Sequence, residues 1–156
     1  MKKCVILMAF TVPMMCLAQQ RDIEAVEQVI YNLFEGMYKG DSSLVHRCFS
    51  DDLRMYTTFI NPDGKDQLRA GSLEGFLTAV GTPHDQIWNE KISNLKIDVD
   101  AGLAHAWMDY EFYLDQKFSH CGINAMQLVK LDGEWKIIHL IDTRKKSDCQ
   151  PAGSKN

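Results

Sequence analysis

The second half of the chain does most to limit what it can fold into. From Ile87 onward it reads "IWNEKI", "LKIDV", "LAHAWMDYEFYL", "KFSHCGINAMQLVKL" and "EWKIIHLID". Turn residues separate these runs at Ser93-Asn94, Asp100-Ala101-Gly102, Asp115-Gln116 and Asp132-Gly133. Aromatic and β-branched runs punctuated in this way predict a meander of long antiparallel strands. Asp-Gly between two apolar runs is the strongest hairpin signal among them. The first half differs in kind. Ile23, Val26, Ile30, Leu33, Phe34, Met37 and Tyr38 recur at three- and four-residue steps, which predicts a helix with Asp22 as N-cap and Gly40 as its stop. Asp41 and Ser42 can cap a short second helix reaching about Phe49, and Ser72 a third, "SLEGFLTAVG", stopped by Gly81 and Pro83. Between them, "LRMYTTF" suits a strand, and "NPDGKDQLRAG", with turn chemistry and no apolar period, a loop. Helices grouped ahead of antiparallel strands predict one α+β domain. A curved sheet around the helices leaves a cone-shaped cavity, the kind of concavity that takes small ligands.

The N-terminus has a separate reading. Met1-Lys2-Lys3 is a short basic start, Cys4 to Met15 is apolar apart from Thr11 and Pro13, and Cys16-Leu17-Ala18 places small residues where a signal peptidase reads. The expectation is a signal peptide over 1–18, a domain over 19–144 and a polar tail over 145–156, in a secreted or periplasmic protein. The apolar run is shorter than the roughly 20 residues a membrane-spanning helix needs, so no stable membrane span is expected after cleavage. Losing Lys2 and Lys3 moves the formal charge from −4 to −6. That argues against a nucleic-acid partner, which calls for a basic face. Cys48, Cys121 and Cys149 remain, an odd number, so at least one thiol stays free or pairs between chains. No His/Cys cluster has zinc spacing, and no metal or cofactor is expected.

The chain resembles the nuclear transport factor two-like superfamily, including the SnoaL-like polyketide cyclases and the ketosteroid isomerases. The residues that carry the likeness are "EGMYKGDSSLVHRCFSDDLRMY", "GSLEGF", "LAHAWMDYEFY" and "HCGINAMQLVKLDGEWKIIHLIDTR". The resemblance covers about Arg21 to Arg144. It implies a cone-shaped α+β barrel of cystatin-like fold, with N-terminal helices packed on a curved, mostly antiparallel sheet. It implies no single activity, because the fold hosts isomerases, cyclases, dehydratases, hydrolases and binders. Ketosteroid isomerases place a tyrosine, an aspartate base and a second acid at positions that align here with Leu33, Thr57 and Asn124. Leucine cannot donate a hydrogen bond and threonine has no useful basicity, so the resemblance does not carry the isomerase mechanism over.

Strand alternation then sorts the candidate residues. With hairpins turning at Asp115-Gln116 and Asp132-Gly133, Glu111 falls opposite His120 and Trp107 opposite Asn124. One face then collects Trp107, Asp109, Glu111, His120, Asn124, Met126, His139 and Ile141. It is the expected cavity face. The other collects Ala106, Met108, Tyr110, Phe112, Ile123, Ala125, Ile138 and Leu140. That face is too apolar for water, so a homodimer through the sheet is expected. On the cavity face Asp109, Glu111 and His120 are the catalytic candidates. Glu111 beside His120 is either an acid-base pair or a surface ion pair. Asp109 is either an enclosed acid or a wall residue that orients ligand. His139 is either a hydrogen-bonded core residue or a catalyst, and His105 could approach it. Trp88, Trp107, Asn124, Met126 and His139 are the ligand-binding candidates. Cys121, beside its turn, can approach Cys149 just past the last strand, the expected disulfide.

Three functions fit these readings: an exported domain binding a small apolar or aromatic molecule, an acid-base enzyme of cyclase, isomerase or hydrolase type, and a structural or partner-binding domain. The binding domain fits best, because Asp109 is the serious acid and its simplest role is to orient a ligand.

Overall fold

The computed structural model describes residues 14–149. The expected leader lies outside them up to residue 13. Helix α1 (Met14–Lys39) begins ahead of the expected cleavage point. It buries Val26, Ile30, Leu33, Phe34 and Met37, while Tyr38 turns to solvent. Asp22 lies inside the helix instead of capping it. Its carboxylate accepts from Lys130 Nζ at 2.6 Å and Trp135 Nε1 at 3.2 Å, which ties α1 to the last hairpin. Gly40 ends the helix at φ +67°, a left-handed conformation open to glycine, and Asp41 N–H returns to the Gly36 carbonyl at 2.8 Å. Asp41 then caps α2 (Ser42–Cys48) by accepting from Leu44 N–H at 2.9 Å.

Strand β1 (Phe49–Ile60) follows directly, then β2 (Asp66–Gly71). The second corrects the loop expected there. β2 pairs antiparallel with β1 yet is exposed along its whole length, so no apolar alternation marked it. Charged residues at such an edge also discourage pairing with other chains. Ser72 caps α3 (Leu73–Gly81) through Gly75 N–H at 3.1 Å. The meander is β3 (Trp88–Asp100), β4 (Leu103–Leu114), β5 (Lys117–Leu131) and β6 (Glu134–Arg144). "IWNEKI" and "LKIDV" form one strand, β3, and not two, because Ser93-Asn94 is a bulge with Asn94 at φ 52°. The sheet order is β2-β1-β6-β5-β4-β3, antiparallel except where β1 runs parallel to β6. The helices pack against one face of this curved, unclosed sheet.

Two further bulges overturn the expected division of faces. Near the first turn Tyr113 pairs with Phe118 as expected, but Ser119 is then extra, so Phe112 pairs with His120 and Met108 with Asn124. On β6 Ile138 is extra, between Leu128↔Ile137 and Gln127↔His139. One added residue inverts every later side chain relative to its partner strand. β5 therefore keeps its expected phase, while β4 and β6 exchange faces. Ala104, Ala106, Met108 and Tyr110 are buried inward, and Trp107 stands 46% exposed on the outside.

Cys121 and Cys149 are joined by a disulfide, with Cα atoms 5.9 Å apart. Cys121 and Lys145 exchange backbone hydrogen bonds at 2.9 and 2.8 Å, so the start of the tail is held against β5. Cys48 is a free thiol. It is buried in the core, and burial pushes its pKa up to about 11.

Candidate functional site

The inner faces of β3–β6, together with β1, α1 and α3, enclose a cavity of about 330 Å³. Its walls are apolar and largely aromatic: Leu33, Phe34, Met55, Phe76, Trp88 and Phe112 among them. Trp88 meets the Phe112 ring edge-on at 6.0 Å and stacks on His84 at 5.0 Å. His120 stacks on Phe112 at 4.9 Å and meets Tyr110 edge-on at 5.7 Å. Burial, then the positive charges of Arg144 and Lys146, lower the His120 pKa to about 4. The ring is therefore neutral near pH 7 and acts as a flat wall with a polar edge.

A compact polar floor interrupts these walls. Buried Asp142, on β6, accepts from Thr57 Oγ1 at 2.5 Å and Tyr110 Oη at 3.1 Å, and Arg144 Nε lies 3.6 Å away. The Tyr110 hydroxyl also lies 2.9 Å from the Thr143 carbonyl, so Asp142 and that carbonyl share its one proton. Burial foremost, with Asp142 and Glu90 nearby, raises the Tyr110 pKa further and keeps the phenol protonated. Beside Asp142, buried Asn124 donates to Glu90 Oε1 at 2.7 Å. Glu90 is half-buried on β3. Loss of water pushes its pKa up to about 7; the Asn124 amide opposes that rise, and Asp142 adds to it. The donors Thr57 and Tyr110 are thus spent on Asp142. Glu90 Oε2 and Asn124 Oδ1 carry no protein hydrogen bond among the described residues, and no buried side-chain polar atom there lacks a partner. What the floor offers a guest is the Asn124 Oδ1 acceptor and Glu90 Oε2, which accepts when ionised and donates when protonated, with the Arg144 guanidinium at its rim.

The sequence candidates separate across the sheet. Trp88, Asn124 and His120 line the cavity. Met126 points the same way but is packed in the core below it. Trp107, Asp109, Glu111 and His139 stand on the outer face. Asp109 accepts from Asn94 Nδ2 at 2.5 Å, Glu111 from the Tyr113 hydroxyl at 3.1 Å, and His139 lies edge-on to Tyr56 at 6.0 Å. Glu111 pairs with Cys121, so Glu111 and His120 are not brought together. Leu33, Thr57 and Asn124, the three positions aligned with isomerase chemistry, all line the cavity. Glu90, Asp142 and Tyr110 escaped the sequence reading. Glu90 did leave a trace, since it shares a strand phase with apolar Trp88 and Ile92. Among the described residues no group of three His, Cys, Asp or Glu is placed to hold a metal, and no helix is long and apolar enough to cross a membrane.

The fold is that of the nuclear transport factor two-like proteins. More closely, the chain belongs to the family described as "Putative lumazine-binding", whose sequence model matches residues 21–140. A nuclear transport factor two-like protein of unknown function from Shewanella baltica has a similar structure. It is 19% identical, with 82% of this chain and 97% of that one covered and a TM-score of 0.63. A Novosphingobium aromaticivorans protein of the same class, with a cystatin-like fold, is 10% identical over 91% of this chain and 94% of its own, with a TM-score of 0.69. A second protein from that organism, described as "Putative Scytalone Dehydratase", is 17% identical over 90% and 99%, with a TM-score of 0.66. At these identities the likeness shows the fold. No curated protein matches the chain in sequence.

Proposed function

We propose that this chain is an exported binding domain that holds a flat, partly apolar molecule in the cone, with an N–H edge turned toward Glu90 and Asn124. The observation that carries this reading is an aromatic-walled cavity of about 330 Å³ whose polar floor presents the Asn124 carbonyl and the Glu90 carboxyl. Pockets of that size with a few convergent polar groups are where small ligands bind. The family's description points toward bicyclic heteroaromatics of the lumazine kind, which have flat faces and ring N–H donors. Export rests on the N-terminal pattern and is supported by the Cys121–Cys149 disulfide, since such bonds persist in oxidising compartments. Homodimerisation through the sheet is supported by the outer face, where exposed Trp107 continues a stripe of Ala125, Ile141 and Tyr56.

The test is thermal unfolding with a panel of bicyclic heteroaromatics. A ligand present at 100 times its Kd stabilises by about 2.7 kcal/mol. A panel that leaves Tm unmoved would sink the binding reading. N-terminal sequencing of the exported protein is expected to begin at Gln19. A second reading, an acid-base enzyme, is favoured by Glu90, whose pKa near 7 suits proton transfer at neutral pH. It expects pH-dependent turnover that is lost in Glu90→Gln and kept in Asp109→Asn.

A further inference from the structure

A second groove, of about 420 Å³, adjoins the cavity and shares Thr57 and Arg144 with it. Its cations come from three places in the chain: Arg69 on edge strand β2, Arg144 at the end of β6, and Lys145 and Lys146 on the tail. The Arg69 guanidinium lies over the Phe59 ring at 4.7 Å, which positions it without neutralising it. The Cys121–Cys149 disulfide and the Cys121–Lys145 backbone pair hold the tail that forms the opposite wall. Against these four cations the groove contains one carboxylate, Asp148, while Asp142 sits behind Arg144. Neither Arg69 nor Lys146 has an ion-pair partner among the described residues. This concentration of positive charge occurs on a chain of net charge −4.

We infer that this groove is an anion subsite, which takes the carboxylate or phosphate of a ligand whose flat body occupies the cone. The inference rests on the cavity reading, because Arg144 at the shared rim makes the two spaces one elongated site. Along β6 the step from Asp142 to Arg144 is about 7 Å at the usual rise per residue. A short flexible arm therefore spans from floor to groove. One cluster around one groove suits a single anionic group. A polyanion such as nucleic acid would need a broad basic face.

The test compares indole-3-butanoate with its neutral alcohol, indole-3-butanol, by isothermal titration calorimetry of the full chain. Both have a flat ring with one N–H, and they differ only in the terminal group, a charged carboxylate against a neutral hydroxymethyl. The acid is expected to bind about tenfold more tightly at low ionic strength, with the advantage shrinking in 1 M NaCl. Arg69→Gln/Lys146→Gln, which leaves Arg144 and Lys145 in place, is expected to cut that advantage severalfold while leaving alcohol affinity unchanged, since neither altered residue lines the cavity. Equal affinities in the unaltered protein, or an advantage undiminished in the double variant, overturns the anion subsite and leaves the cavity reading standing. An acid that binds while the alcohol does not overturns the cavity reading instead. Binding of neither counts against both.

Discussion

Replacing Glu90 with glutamine is expected to remove one pH slope in stability. In the folded chain Glu90 titrates at about 7, against an ordinary carboxylate value of 4.5, chiefly because its surroundings exclude water. A group whose pKa is raised by folding stabilises the fold below its unfolded pKa and loses that contribution as pH rises through the folded value. The displacement corresponds to about 3.4 kcal/mol at most. Glu90 is half-buried, and part of its titration is already complete at pH 5. The change between pH 5 and pH 8 is accordingly about 2 kcal/mol. His120 complicates the raw profile. Its pKa falls from 6.5 to about 4, so its contribution is present above 6.5 and lost as pH drops through 4. The two slopes oppose each other between pH 4.5 and 6.5, so the unaltered protein can look flat there. The difference between Glu90→Gln and the unaltered protein cancels His120. Urea unfolding at pH 5, 6, 7 and 8 should show the variant gaining about 2 kcal/mol across the range, or roughly 6–8 °C in Tm. Glutamine can still accept from Asn124, so the geometry of the floor survives. A difference that stays constant with pH would refute the assignment of Glu90 as a carboxyl kept from water.

Three other perturbations read different parts of the molecule. Gly122→Ala would put a Cβ 1.8 Å from the Thr143 carbonyl oxygen, so strands β5 and β6 must part. A loss above about 3 kcal/mol in urea unfolding is expected, and a loss below about 1 would contradict that close approach. Cys149→Ser removes a cross-link between residues 28 apart, which is expected to cost about 3–4 kcal/mol; non-reducing mass mapping of the unaltered protein that finds both thiols free would remove the basis for it. Asp109→Asn on the outer face should leave the affinity for cavity ligands unchanged, whereas Asn124→Leu, which removes the amide that holds Glu90, should weaken it about tenfold or more in calorimetry.

The helices and the meander were legible because their signals are local. Asp41, Ser72, Gly40 and Asp132-Gly133 act through turn and cap chemistry that depends on neighbours in sequence. The edge strand β2 was not legible, because an element that buries nothing leaves no apolar period. The site was half legible for a different reason. The phase of β5 was read correctly, so Asn124 and His120 fell on the cavity side. The phases of β4 and β6 hung on Ser119 and Ile138, each squeezed out of a ladder by packing that no local pattern announces. The acids that drew attention in "WMDYEFY" consequently point outward, and the inward acids Glu90 and Asp142 sit in runs that looked like ordinary apolar strands.

The position of β6 in the sheet has a consequence for the order of folding. Among the described residues the last strand in chain order lies in the middle of the sheet, between β1 and β5, and supplies the parallel partner of the first. Until residues 137–144 are available, the chain can form only a β1–β2 hairpin and a separate β3–β4–β5 meander, each with an open edge. Closing the loop between β1 and β6 spans most of the domain, and such non-local pairing slows folding. The domain can therefore close only once β6 has been made. A nascent chain that still lacks β6 has no cone in which to bind anything.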